Sequence, residues 1–142
     1  DSVFKEIKRL GEGGCFNGYE IINNEYVFLA YDQGGEAEPS TIISVYNLKT
    51  NREDYVGMIP VSGDAYFDYN RENNLVLFND SDGLNIFNLS QALNFSQSVE
   101  IQTQTILNGN FYLPFWKDST NIGYDEWEDD HWVNKIFKLE KK

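Results

Sequence analysis

Leu75-Val76-Leu77-Phe78-Asn79-Asp80-Ser81-Asp82-Gly83-Leu84-Asn85-Ile86-Phe87-Asn88-Leu89 is the stretch on which the fold is decided. Two short runs rich in Leu, Val, Ile and Phe flank a polar turn that ends in Asp82-Gly83. Runs this short, bounded by Asn, Asp and Gly, suit strands, and Asp-Gly takes the positive φ of a tight turn at little cost. Strands are therefore expected over Leu75–Asn79 and Leu84–Asn88, joined as a hairpin.

The same pattern continues outward in both directions. Further strands are expected over Tyr19–Ile22, Tyr26–Tyr31, Thr41–Asn47, Asp54–Ile59, Ala65–Tyr69, Val99–Thr105, Phe111–Trp116, Asn121–Trp127 and Trp132–Leu139. Asn23-Asn24, Thr50-Asn51 and Asn73-Asn74 supply turn residues between them. Only residues 1–10 suggest a helix: Val3, Phe4, Ile7 and Leu10 share a face, Ser2 stands at an N-cap position, and Gly11, Gly13 and Gly14 follow. The fold class expected is all-β, a single domain over 1–142. It consists of that N-terminal helix and an antiparallel meander of hairpins over 18–139.

Three hairpin units repeat weakly. Ile43-Ser44-Val45-Tyr46-Asn47-Leu48 matches Leu84-Asn85-Ile86-Phe87-Asn88-Leu89 forty-one positions later, and Asn134-Lys135-Ile136-Phe137-Lys138-Leu139 is a looser third copy. Over residues 19 to 139 this period near forty resembles the blades of WD-type and related β-propellers, with three units where a closed propeller uses about four to eight blades. Without a Gly-His or Trp-Asp pair at its usual place, the expectation adopted is a twisted sandwich or half-barrel, with a partial propeller as the alternative.

Composition narrows the function. The 142 residues are 41% hydrophobic and 15% aromatic, enough for a core and too much for a disordered chain. Acids outnumber bases 23 to 11, a net charge of −12, so nucleic acid is a poor direct partner. No apolar run is long enough to span a membrane. One Cys and one His exclude a disulfide framework within the chain and a Cys- or His-rich metal site. The chain opens on Asp1, which reads as a start from which a tag or signal peptide has been removed. A lone cysteine favours a reducing compartment, so the cytoplasm is expected, with the secreted or cell-surface state as the alternative.

No catalytic set stands out. Cys15 and His131 could form a nucleophile and base only if the fold brought them together, and no signature surrounds either. Asp80-Ser81-Asp82-Gly83-Leu84-Asn85 has its glycine at position four of a calcium loop instead of six, and Gln91 at position twelve. The expectation is no enzyme, no metal and no cofactor.

What remains is charge beside aromatic rings. Between residues 10 and 134 there are twenty acids and four bases, a net of −16. The densest stretch is Tyr124-Asp125-Glu126-Trp127-Glu128-Asp129-Asp130-His131-Trp132. Trp127 and Trp132 either face the core from paired strands or anchor a partner, with the carboxylates steering a basic surface toward them. A second acidic loop, with Asp32, Glu36 and Glu38, follows the equivalent strand of the first unit and could share one rim with it.

Small size, acidity, aromatic content and the missing catalytic set resemble the immunity proteins of bacterial toxin–immunity systems, including contact-dependent growth inhibition. The resemblance implies a cytoplasmic monomer that neutralises a cognate basic toxin, such as a nuclease, in a 1:1 complex. The alternative expectation is a secreted or lipid-tethered propeller-like module that binds glycan or protein.

Overall fold

The structure, a computed structural model, describes residues 6–10, 12–22, 24–32, 40–61, 65–90 and 99–140. Among these, the strands are β1 (Cys15–Ile22), β2 (Tyr26–Asp32), β3 (Thr41–Asn47), β4 (Arg52–Ile59), β5 (Phe67–Asn70), β6 (Leu75–Asn79), β7 (Gly83–Asn88), β8 (Val99–Glu100), β9 (Gln104–Asn108), β10 (Tyr112–Trp116), β11 (Asn121–Glu128) and β12 (His131–Lys138). They build three sheets with the orders β1-β2-β3-β4-β8, β5-β6-β7-β9 and β10-β11-β12. Every pairing is antiparallel except that of β4 with β8. The all-β expectation holds, with three sheets and no closed barrel.

Asx residues close the hairpins. The side-chain oxygen of Asn47 accepts from the N–H groups of Lys49 and Thr50, and that of Asn70 from Glu72 and Asn73. Asp80 serves Asp82 and Gly83 in the same way, and Asp118 serves Thr120 and Asn121. Two of these turns then close on Asn51 and Asn74 at φ 56° and 57°, where a short amide side chain is tolerated. These bonds hold the Asp118 carboxyl down at about 2, the Asn121 side chain contributing most.

Burial of both faces of the middle sheet sets the stacking order. Val76 and Phe78 of β6 and Phe87 of β7 pack against Phe28, Ala30, Ile43 and Val45 of the first sheet. The opposite face, with Leu77, Leu84 and Ile86, packs against Phe111, Ile122 and Tyr124 on the side of the third sheet. The middle sheet thus lies between the other two. Between sheets, the backbones come close where β1 meets β5 and where β10 meets β5 and β6. Face-packed sheets ordinarily stay about 10 Å apart, so the three converge at their first strands.

Two expectations need correction. Residues 6–10 form no helix, and residues 1–5 lie outside the described ones. Ile7 and Leu10 instead lie against the outer face of the first sheet, with Val27, Leu29, Tyr31 and Tyr46. Lys8 is tied there to Glu53 at 2.9 Å and sits 4.9 Å above the Tyr31 ring. A ten-residue helix is marginal by itself, and an apolar sheet face rewards the same side chains without one. The single strand expected over Val99–Thr105 is divided: β8 joins the first sheet and β9 the middle one.

Gly18 marks the convergence of the first two sheets. It follows a bulge in β1, and a Cβ there would lie 2.4 Å from the Phe67 carbonyl oxygen. We predict that Gly18→Ala destabilises the chain by roughly 1–3 kcal/mol, since the backbones must part to admit the methyl. Urea unfolding measures this, and an unchanged midpoint would show that β1 and β5 do not meet this closely.

Candidate functional site

The third sheet has one covered face and one open face. In β11 and β12 the side chains alternate. Ile122 and Tyr124, paired with Phe137 and Lys135, face the middle sheet. Trp127 pairs directly with Trp132, Asp125 with Asn134 and Gly123 with Ile136, and these face away from it. Across β11, Tyr112 opposes Asp125 and Phe115 opposes Gly123, with the register shifting between them. The Phe115 ring lies over Gly123, where a Cβ would meet it at 2.4 Å.

Five large apolar side chains consequently share the open face: Tyr112, Phe115, Trp127, Trp132 and Ile136, all exposed. Trp127 and Trp132 retain 52% and 50% of their accessible surface. Their rings meet edge to face at 5.0 Å, and Tyr112 meets Trp132 likewise at 4.8 Å. Clusters of this kind are stabilised beyond their buried area and hold the rings in fixed places.

The acidic run does not form one patch. Glu126 and Glu128 lie on the covered side and hold the Lys135 ammonium between them, Glu126 at 2.6 Å. Hydrogen bonds donated by the Lys135 ammonium to these two carboxylates raise its pKa, and the ammonium in turn lowers that of Glu128. Asp125 is on the open face and accepts from the Asn134 amide. Asp129 and Asp130 form the turn between β11 and β12 at φ 45° and 65°, exposed at one end of the aromatic face. Tyr124 is buried against Phe111 and belongs to the core.

Of the second acidic loop only Asp32 lies among the described residues. Asp32 ends β2 in the first sheet, with the middle sheet between it and β11, while Glu36 and Glu38 lie outside the described residues. Cys15 and His131 also fall on different sheets. Cys15 Sγ donates to Asn17 Oδ1, and His131 Nδ1 contacts the Asp129 carbonyl oxygen. The Asp80 carboxylate is spent on its own turn. An open cleft of about 580 Å³ is lined by Val61, Phe78, Asp80, Asp82, Glu100 and Tyr112 among others.

Sequence reasoning singled out the two tryptophans but missed Tyr112, Phe115 and Ile136. The signal for Ile136 was the alternation Trp132-x-Asn134-x-Ile136 in the last strand. For Phe115 and Tyr112 the signal was broken by Pro114 and by Leu113 at φ 50°, which shift the alternation within β10. Comparison with known protein families, with curated proteins and with solved structures finds no match to this chain.

Half-exposed rings contribute less to folding than enclosed ones. We predict that Trp132→Ala costs about 1 kcal/mol, against about 3–5 kcal/mol for Phe78→Ala in the core. Chemical denaturation of the two variants separates the cases. Equal losses would place Trp132 in the core.

Proposed function

We propose that the chain is a non-enzymatic protein-binding module whose contact surface is the open aromatic face of β10, β11 and β12. The observation that carries this reading is the clustering of Tyr112, Phe115, Trp127, Trp132 and Ile136 on a face that no described residue covers. Rigid aromatic anchors of this type dominate the energetics of protein interfaces. The rings cross at 74° and 80°, so they form no flat platform for a sugar ring, which favours protein over glycan.

The scaffold is best described as a partial propeller-like stack. Three meandering sheets, stacked in chain order and converging at β1, β5 and β10, support that description over a two-sheet sandwich.

The partner's charge follows from the chain's own. A net charge of −12, with Asp129 and Asp130 at the end of the aromatic face, favours a basic protein surface. In its most specific form, the chain is a cytoplasmic immunity protein that occludes the phosphate-holding cleft of a toxic nuclease domain.

Affinity capture from the producing cell at low salt, with the unaltered chain and with the W127A/W132A chain in parallel, tests this. The unaltered chain should retain a basic polypeptide that salt releases, and the double variant should lose at least about tenfold in affinity. Asp129→Lys with Asp130→Lys should slow association by about tenfold while changing dissociation little. Equal capture by W127A/W132A and the unaltered chain would sink the proposal.

A further inference from the structure

The outer edge of β12 carries the next step. Each of the other sheet edges is short, interrupted or covered. β8 has two residues and β5 four. β1 is bulged between Phe16 and Gly18, and it meets β5. The ladder of β7 with β9 shifts at Leu84 and Asn85, and β10 contains Pro114 and a register shift. β12 alone runs eight residues in unbroken register, from His131 opposite Glu128 to Lys138 opposite Asn121, with no Gly, Pro or bulge. Among the described residues nothing pairs with its far side. Such an edge is a template for another strand, and proteins that must stay monomeric ordinarily interrupt it.

We propose that β12 pairs antiparallel with β12 of a second copy of this chain, about a two-fold axis at Asn134, to make one six-stranded sheet. A strand paired with itself about a two-fold normal to the sheet keeps its faces, so the aromatic side of each copy lies on the same side of the joint sheet. The sequence selects the register. With Asn134 on the axis, Trp132 stands opposite Ile136 of the partner subunit, Val133 opposite the stem of the partner's Lys135, and Lys138 opposite the partner's Asp130 at the turn. Apolar meets apolar and cation meets anion, the pairs that stabilise a ladder. Centring on Lys135 would set two ammonium groups face to face and Trp132 against Lys138, and centring on Val133 would set Ile136 against Asp130.

Charge points to the same surface. Two chains of net charge −12 repel over most of their area, but residues 131–140 carry two lysines and one glutamate. The edge strand thus adds no net negative charge to the joint: Lys135 is already held by Glu126 and Glu128, and Lys138 is left to meet the partner's Asp130. Pairing also joins the two aromatic faces into one, so the expectation of a monomer and a 1:1 complex becomes a dimer that presents a doubled docking face.

Sedimentation equilibrium of the full chain over about 1–100 μM tests this, with circular dichroism confirming that each variant is folded. The unaltered chain should be dimeric at the upper concentrations. Lys138→Glu places like charges across the joint and should weaken the dimer at least about tenfold, and D130K/K138E restores opposite charges and should recover it to within about threefold. Asn134→Lys, which sets two ammonium groups on the axis, should leave a folded monomer. A chain that stays monomeric at about 100 μM overturns the proposal, as does a dimer that ignores Lys138→Glu and Asn134→Lys. Loss of partner capture in Trp127→Ala, a residue of β11 away from the joint, with the dimer intact would separate this joint from the docking reading.

Discussion

The middle sheet cannot leave either of its faces in water, and the rest of the structure follows from that constraint. Leu77 and Leu84 on one side and Val76 and Phe78 on the other are almost fully buried. At about 25 cal/mol per Å² of apolar area, exposing either face would cost more than a domain's usual margin of stability. One sheet must therefore lie on each side of it, and short hairpins in chain order deliver them. The stack has two outer faces. The first sheet's is lined by Ile7 and Leu10, with Lys8 fixed by Glu53 and Tyr31. The third sheet's is aromatic and open.

Much of this was legible because hairpins are local. The strands Thr41–Asn47 and Leu75–Asn79 are placed by their apolar runs and by Asx residues at the turns, which state the break in the chain itself. Non-local choices were hidden. Nothing between Val99 and Thr105 announces that β8 pairs with β4 while β9 pairs with β7, since that depends on which edges are free. The amphipathic pattern at Ile7 and Leu10 was real, but it met a flat sheet face, which needs no helical spacing. The number of sheets likewise follows from packing, not from any one strand's sequence.

The site was half legible for a similar reason. Two tryptophans among carboxylates drew attention to residues 124–132, but composition cannot say which side of a strand faces the core. Alternation splits that run: Tyr124 goes to the core, Glu126 and Glu128 to Lys135, and Asp125 and Trp127 to the open face. The result is more apolar than the raw charge suggests, with the free acids concentrated at the Asp129-Asp130 turn. A surface of this composition gains affinity from its rings and rate from its acidic end.

Residue-by-residue amide hydrogen exchange of the full chain at low micromolar concentration tests the central claim, that the middle sheet is enclosed and the third sheet is open on one face. The account predicts that Val76–Phe78 and Leu84–Phe87 exchange only through global unfolding, while the β11–β12 hairpin exchanges faster through local opening. Protection of β12 equal to that of β6, or faster exchange in β6 and β7 than in the third sheet, would contradict it.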